Sequence, residues 1–154
     1  MILTPVLSIT ATLGTVQDFG LTAHGHRRFV PIVGGEFSGD FPEGSSFGGK
    51  ILAGGGDWQV LRPDGVTEVE ARYTLQTHDG TLILITNRGY RHGPPEVMRR
   101  LAAGENVPPD AYYFRTVPVF EVISGKYDWL MRTVFVASGE RHATEVVIQV
   151  WAVG

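Results

Sequence analysis

Hydrophobic and polar residues alternate along most of this chain, and the period of that alternation sets its class. A strand returns to the same face every second residue, whereas a helix returns every third or fourth. Across Thr67–Thr77, Val69, Ala71, Tyr73 and Leu75 take one face and Glu68, Glu70, Arg72, Thr74 and Gln76 the other. This is the pattern of a strand with one dry and one polar face. His78-Asp79-Gly80 then supplies a tight turn, and residues 81–86, rich in β-branched side chains, read as the returning strand. Further strand-like runs at 3–13, 29–33, 58–61, 112–122, 129–137 and 144–153 are bounded by Gly, Pro, Asp or Asn. Together these predict about eight to ten strands.

One segment, 94–103, reads as helix. Pro94 and Pro95 suit a first turn, Glu96 complements the N-terminal dipole, Arg99 and Arg100 sit near the C-terminus, and Gly104 can close it. Many antiparallel strands with one short inserted helix exclude the βαβ alternation of nucleotide-binding folds. The expectation is an all-β, closed or nearly closed antiparallel barrel, because closure removes edge strands. With neither an internal repeat nor a linker, residues 1–154 are read as one domain.

Composition narrows the partners. The 154 residues carry 13 Lys+Arg against 16 Asp+Glu, a net charge of −3, which offers no basic surface for phosphates or anionic lipid. Neither nucleic acid nor a membrane is expected as a partner. The first basic residue is Arg27, so the N-terminus lacks the positive region of a signal peptide, and a soluble, cytoplasmic protein is expected. With no cysteine, any chemistry relies on oxygen and nitrogen groups. Twenty glycines, in short clusters of no fixed period, fit turns and bends rather than collagen or disorder.

Several motifs bear on chemistry. Gly44-Ser45-Ser46-Phe47-Gly48 matches the G-x-S-x-G nucleophile elbow. That elbow needs a strand before it and a helix after it; here Pro42 precedes and no helical period follows, so a Gly/Ser loop is the better reading. The clusters Gly34-Gly35, Gly48-Gly49 and Gly54-Gly55-Gly56 lack the helix N-terminus of a phosphate cradle. His24 and His26 share a strand face, but no second spaced motif completes a ligand set, so no metal is expected. More informative are Arg72 and Arg115, embedded among apolar strand residues. A guanidinium held in such surroundings needs a carboxylate or a ligand anion. Asp57, Glu70 and Glu121 are candidate partners, and Asp57-Trp58 directly follows the triple glycine.

Gly34-Gly35, Gly55-Gly56-Asp57-Trp58-Gln59, Asp64-Gly65, Ala71-Arg72-Tyr73, Asp79-Gly80, Asn87-Arg88-Gly89, Tyr113-Phe114-Arg115-Thr116 with Pro118 and Phe120, and Tyr127-Asp128-Trp129-Leu130 follow in order. This series resembles the family known as domain of unknown function 3237, or uncharacterised protein family 0311, from about Gly34 to the C-terminus. The resemblance implies a small antiparallel β-barrel, often a homo-oligomer, and no cofactor. It lends no agreed catalytic roles. The family pattern falls on Asp57, Trp58, Arg72, Tyr73, Asn87, Arg115, Thr116 and Trp129.

Three function classes stay open at this point. The first is an enzyme without cofactor, an isomerase, cyclase or lyase acting on a small organic substrate. In it Asp57 is the general acid or base, Arg72 and Arg115 hold a carboxylate or enolate, and Trp58, Tyr73, Asn87, Tyr113, Thr116 and Trp129 surround the ligand. The second is a barrel that binds a small ligand without transforming it. The third is an oligomeric scaffold in which the arginine and carboxylate pairs only hold strands together. The alternation does not say whether the Glu70 and Arg72 face points into the barrel or out to water.

Overall fold

The alternation across Thr67–Thr77 forms part of the wall of a closed antiparallel β-barrel in the computed structural model, which describes residues 1–154. Its strands are β1 (Leu3–Leu13), β2 (Gln17–Thr22), β3 (Gly25–Asp40), β4 (Ser46–Ile51), β5 (Gly55–Leu61), β6 (Thr67–Thr77), β7 (Leu82–His92), β8 (Tyr113–Val122), β9 (Val134–Arg141) and β10 (Glu145–Val153). The one α-helix, α1 (Pro95–Ala102), connects β7 to β8. Around the wall the order runs β1, β10, β9, β8, β7, β6. β5 and β4 then share one position between β6 and β3, and β3 closes back onto β1. β2 lies outside this ring of eight positions, against the first half of β3.

Strand parity answers the question of which face points inward. Val69, Tyr73 and Leu75 are buried and Ala71 half-buried in the lumen, whereas Glu68, Glu70 and Arg72 are exposed. Two strands were not expected from the sequence. β2 is short and largely exposed, and β4 runs through the segment read as a Gly/Ser loop. Ser46 opens β4 and donates to Asp40 Oδ1 at 3.0 Å, so the G-x-S-x-G serine leads into a strand instead of a helix. β3 is 16 residues long, against the five expected at 29–33. Gly34-Gly35, which reads as a boundary, lies inside β3 at a register shift opposite Thr12 and Leu13. Gly35 has φ +127° and packs where a Cβ would strike the Thr10 carbonyl, so only glycine carries the strand through.

The lumen is divided along its length. At one end Ile9, Leu75, Ile83, Ile85, Phe135 and Val150 are almost completely buried. Phe41, Phe47, Tyr127 and Trp129 cap that end, with Phe41 and Phe47 ring centroids 4.7 Å apart and Phe41 and Tyr127 stacked at 5.4 Å. Toward the other end the inward positions change character, to Asn87 and Arg91 on β7, Asp57 and Gln59 on β5, Thr116 on β8 and Arg141 on β9.

Candidate functional site

The polar half of the lumen is built around β5. Gly54 turns the chain with φ +108°. A Cβ on Gly55 would collide with Tyr73, and one on Gly56 with the Phe29 ring, so the triple glycine lets β5 settle closely between β3 and β6. The resulting parity turns Asp57 and Gln59 inward and leaves Trp58 outward, 45% exposed. Between β5 and β6 the ladder pairs Asp57 with Ala71 and Val60 with Glu68, but skips the two residues between. The Glu70 backbone N–H donates to Asp57 Oδ1 at 2.9 Å. Gln59 Nε2 donates to Asp57 Oδ2 at 2.8 Å, and Gln59 Oε1 accepts from Arg28 Nη2 at 2.8 Å. The carboxylate is thus fixed by a strand amide and a side-chain relay.

Asp57, Gln59, Asn87, Arg91, Thr116 and Arg141 line one cavity of about 40 Å³, with Tyr73, Phe114 and aliphatic side chains completing it. Arg91 is 5% exposed, and its guanidinium lies 5.3 Å from the centre of the Phe114 ring. Arg141 is half-buried; its backbone N–H donates to the Tyr112 hydroxyl at 2.9 Å, and its Nη1 donates to the His142 carbonyl. Asp57 belongs to none of the ion pairs closer than 4.0 Å, although two guanidinium groups share its cavity. Arg91 Nε, Asn87 Oδ1 and Thr116 Oγ1 have no hydrogen-bond partner within the protein. A buried polar atom in that condition costs about 1–3 kcal/mol.

Burial dominates the electrostatics. It pushes the Asp57 carboxyl group above the usual carboxylate range, against the Gln59 hydrogen bond, the Arg91 charge and the Glu70 amide, which favour the ionised form. Burial also brings Arg91 down to about 10 and lowers Arg28 and Arg141. The Tyr73 phenol is pushed up by burial, with the Asp57 charge adding to the shift. Both Asp57 and Arg91 therefore carry a desolvation cost in their charged forms.

The structure brings together four of the residues singled out from the sequence: Asp57, Tyr73, Asn87 and Thr116 all line this cavity. Arg72 and Arg115 do not join them; both are exposed on the outer face. Arg115 lies over the Tyr113 ring at 5.7 Å, in an open outer groove of about 1000 Å³ that Trp58 also lines. In that groove Arg88 is already paired with Glu70 at 2.8 Å. Trp129 sits at the opposite end of the barrel, among Phe47 and Phe135. His26 Nε2 lies 2.6 Å from Asp18 Oδ1, on the hairpin of β2 and β3 and away from the cavity. The guanidinium groups that do face the lumen, Arg91 and Arg141, were not expected, and neither was Arg28 behind Gln59. Strand parity carried to the true ends of β3, β7 and β9 points to all three.

Comparisons with known proteins agree with the barrel. The family described as "Protein of unknown function (DUF3237)" matches residues 1–153. A UPF0311 protein of Bradyrhizobium diazoefficiens is 46% identical over 145 residues, covering 94% of this chain and 91% of that protein. The crystal structure of the conserved protein of unknown function RPA1785 from Rhodopseudomonas palustris superposes with a TM-score of 0.90 at 42% identity, covering 99% of this chain and 98% of the other. An enzyme from Penicillium herquei shares the fold at 20% identity, with a TM-score of 0.66 over 97% of this chain and 93% of its own.

Proposed function

The chain belongs to the DUF3237 family, and we propose that it binds a small organic molecule in the polar half of its lumen and moves a proton on it through Asp57. One observation carries this reading: a carboxyl group and two guanidinium groups line one cavity without forming an ion pair. A purely structural cluster would let those charges meet, since an unpaired buried charge is expensive. The Asp57 carboxylate removes a proton from carbon beside a carbonyl, and a guanidinium stabilises the negative charge that develops on oxygen. Return of that proton to another position is isomerisation, and elimination of a neighbouring group is a lyase reaction. The likeness to a fungal protein described as an enzyme is in keeping with catalysis but concerns the fold alone.

The test is hydrogen exchange in deuterium oxide, followed by proton NMR on a panel of small keto acids. The native protein is expected to exchange the hydrogen next to the carbonyl, and Asp57→Asn to lose about 100-fold or more of that rate. Because the base works ionised and burial raises its pKa, the native rate should climb with pH and level off above that raised value. An Asp57→Asn protein that exchanges as fast as the native one would remove Asp57 from the chemistry. The non-catalytic alternative shares the binding step, and it is the reading that stands if a compound binds in the lumen and none of its hydrogens exchange.

A further inference from the structure

The cavity's unsatisfied groups read as the negative image of a ligand. Arg91 Nε is a donor, Asn87 Oδ1 is an acceptor only, and the Thr116 hydroxyl is either; none has a partner within the protein. All three residues are at least nine-tenths buried, with exposures of 5%, 3% and 3%, and all three line the same cavity. Native proteins rarely leave such groups unpaired, and three in one small space indicate a common partner.

Charge and size restrict that partner further. Arg91 and Arg141 contribute two positive charges to the cavity wall and Asp57 one negative charge. The Asp57 oxygens are already engaged by Gln59 and the Glu70 amide. The excess positive charge calls for an anion, and a planar carboxylate suits guanidinium donors. Asn87 Oδ1 calls for a hydrogen donor, which a carboxylate cannot supply and a hydroxyl can. The space, about 40 Å³, corresponds to roughly three or four water-sized probes. That admits a head group of a few heavy atoms and leaves the rest of a larger molecule to extend toward the barrel end where Arg28 and Arg141 are half-exposed.

We propose that the ligand is a 2-hydroxycarboxylate or the equivalent enol-carboxylate, its carboxylate on Arg91 and its hydroxyl donating to Asn87 Oδ1, with Thr116 beside them. The proposal rests on the lumen being the ligand site, as in the reading above, but not on Asp57 moving a proton.

Titration calorimetry near neutral pH with glycolate, acetate, glycolamide and inorganic phosphate separates the terms. Glycolate is expected to bind saturably, and acetate, which lacks the hydroxyl, roughly tenfold more weakly. Glycolamide, which keeps the hydroxyl and loses the charge, and phosphate, which is tetrahedral where the carboxylate is planar, are expected not to saturate. In Asn87→Ala the preference for glycolate over acetate should vanish, and in Arg91→Met both anions should be lost. Glycolamide binding as tightly as glycolate would overturn the proposal. So would equal affinity of the native protein for acetate and glycolate, or the absence of saturable glycolate binding. These native-protein comparisons decide the matter even if a variant fails to fold. The two readings fail separately: a native protein that exchanges no hydrogen would lose the proton-transfer step and leave the glycolate-over-acetate pattern standing, whereas loss of that pattern would remove the ligand assignment alone.

Discussion

The two ends of the lumen are made from the same strands and yet obey different rules. At the apolar end Ile83 and Ile85 of β7 and Phe135 of β9 pack into a sealed core. That end is fastened by a Tyr127 hydroxyl donating to Asp79 at 3.1 Å and by Lys126 2.7 Å from the same carboxylate. A few residues further along those strands, Asn87, Arg91 and Arg141 line a cavity with unsatisfied hydrogen-bonding capacity. The first end is closely packed and leaves one buried polar atom, Trp129 Nε1, without a partner, whereas the second gathers three such atoms and three charged side chains around one cavity. Such local violations belong at sites that bind or react, where the rest of the fold offsets their cost.

If that division holds, damage at the apolar end produces the largest loss of stability. Phe135 is 1% exposed and packs edge-on to Phe120 at 5.2 Å. Phe135→Ala is expected to lose about 3–5 kcal/mol in urea unfolding, with little change in glycolate affinity. A loss below about 1 kcal/mol would mean that the sealed end does not carry the stability assigned to it.

The polar end should respond in the opposite direction. Arg91 is brought down to about 10 by burial. The folded chain therefore holds the Arg91 proton less tightly than the unfolded chain does. At every pH below about 10 the charged side chain weighs against folding, and near neutral pH that penalty is fully present. Arg91→Met keeps similar bulk against Phe114 and leaves Asp57 with Arg28 and Arg141. It is expected to raise stability by about 1 kcal/mol or more, because it removes the desolvation cost of a buried charge that forms no ion pair. A destabilised Arg91→Met protein would turn the cluster into a structural network and favour the scaffold reading.

The contrast also explains what could be read from the sequence. Alternation gave the barrel, the helix and the β6–β7 hairpin, because burial on one face imposes a period of two. Asp57, Tyr73, Asn87 and Thr116 come instead from the family resemblance, whose motifs fall on them. The lumen arginines lie just beyond the expected strand ends: Arg28 precedes a run begun at 29, Arg91 follows one ended at 86, and Arg141 follows one ended at 137. The expected runs end where apolar residues give way to polar ones, which is also where the lumen changes character. Hydrophobic pattern marks a strand only while its inner face is dry, so a polar lumen hides the very residues that line it. Arg72 and Arg115 stood out for the converse reason, as charges in apolar runs whose alternate faces happen to be outside.

Loss of Arg115 has the smallest expected effect and the sharpest bearing on the scaffold alternative. If arginine and carboxylate pairs embedded in the wall held the strands together, removing Arg115 would cost about 3–5 kcal/mol, as breaking a buried pair does. Arg115 instead is exposed, stacks over Tyr113 and donates to the Phe114 carbonyl at 3.0 Å, with no carboxylate partner among the ion pairs. A side chain in water with those contacts contributes little, so Arg115→Ala should shift urea unfolding by no more than about 0.5 kcal/mol. Glycolate affinity should stay as in the native protein, because the guanidinium lies on the far side of the wall from Arg91 and Asn87. A loss of several kcal/mol would show that the outer face supports the barrel, and a loss of glycolate binding would move the ligand to the outer groove beside Trp58 and Tyr113.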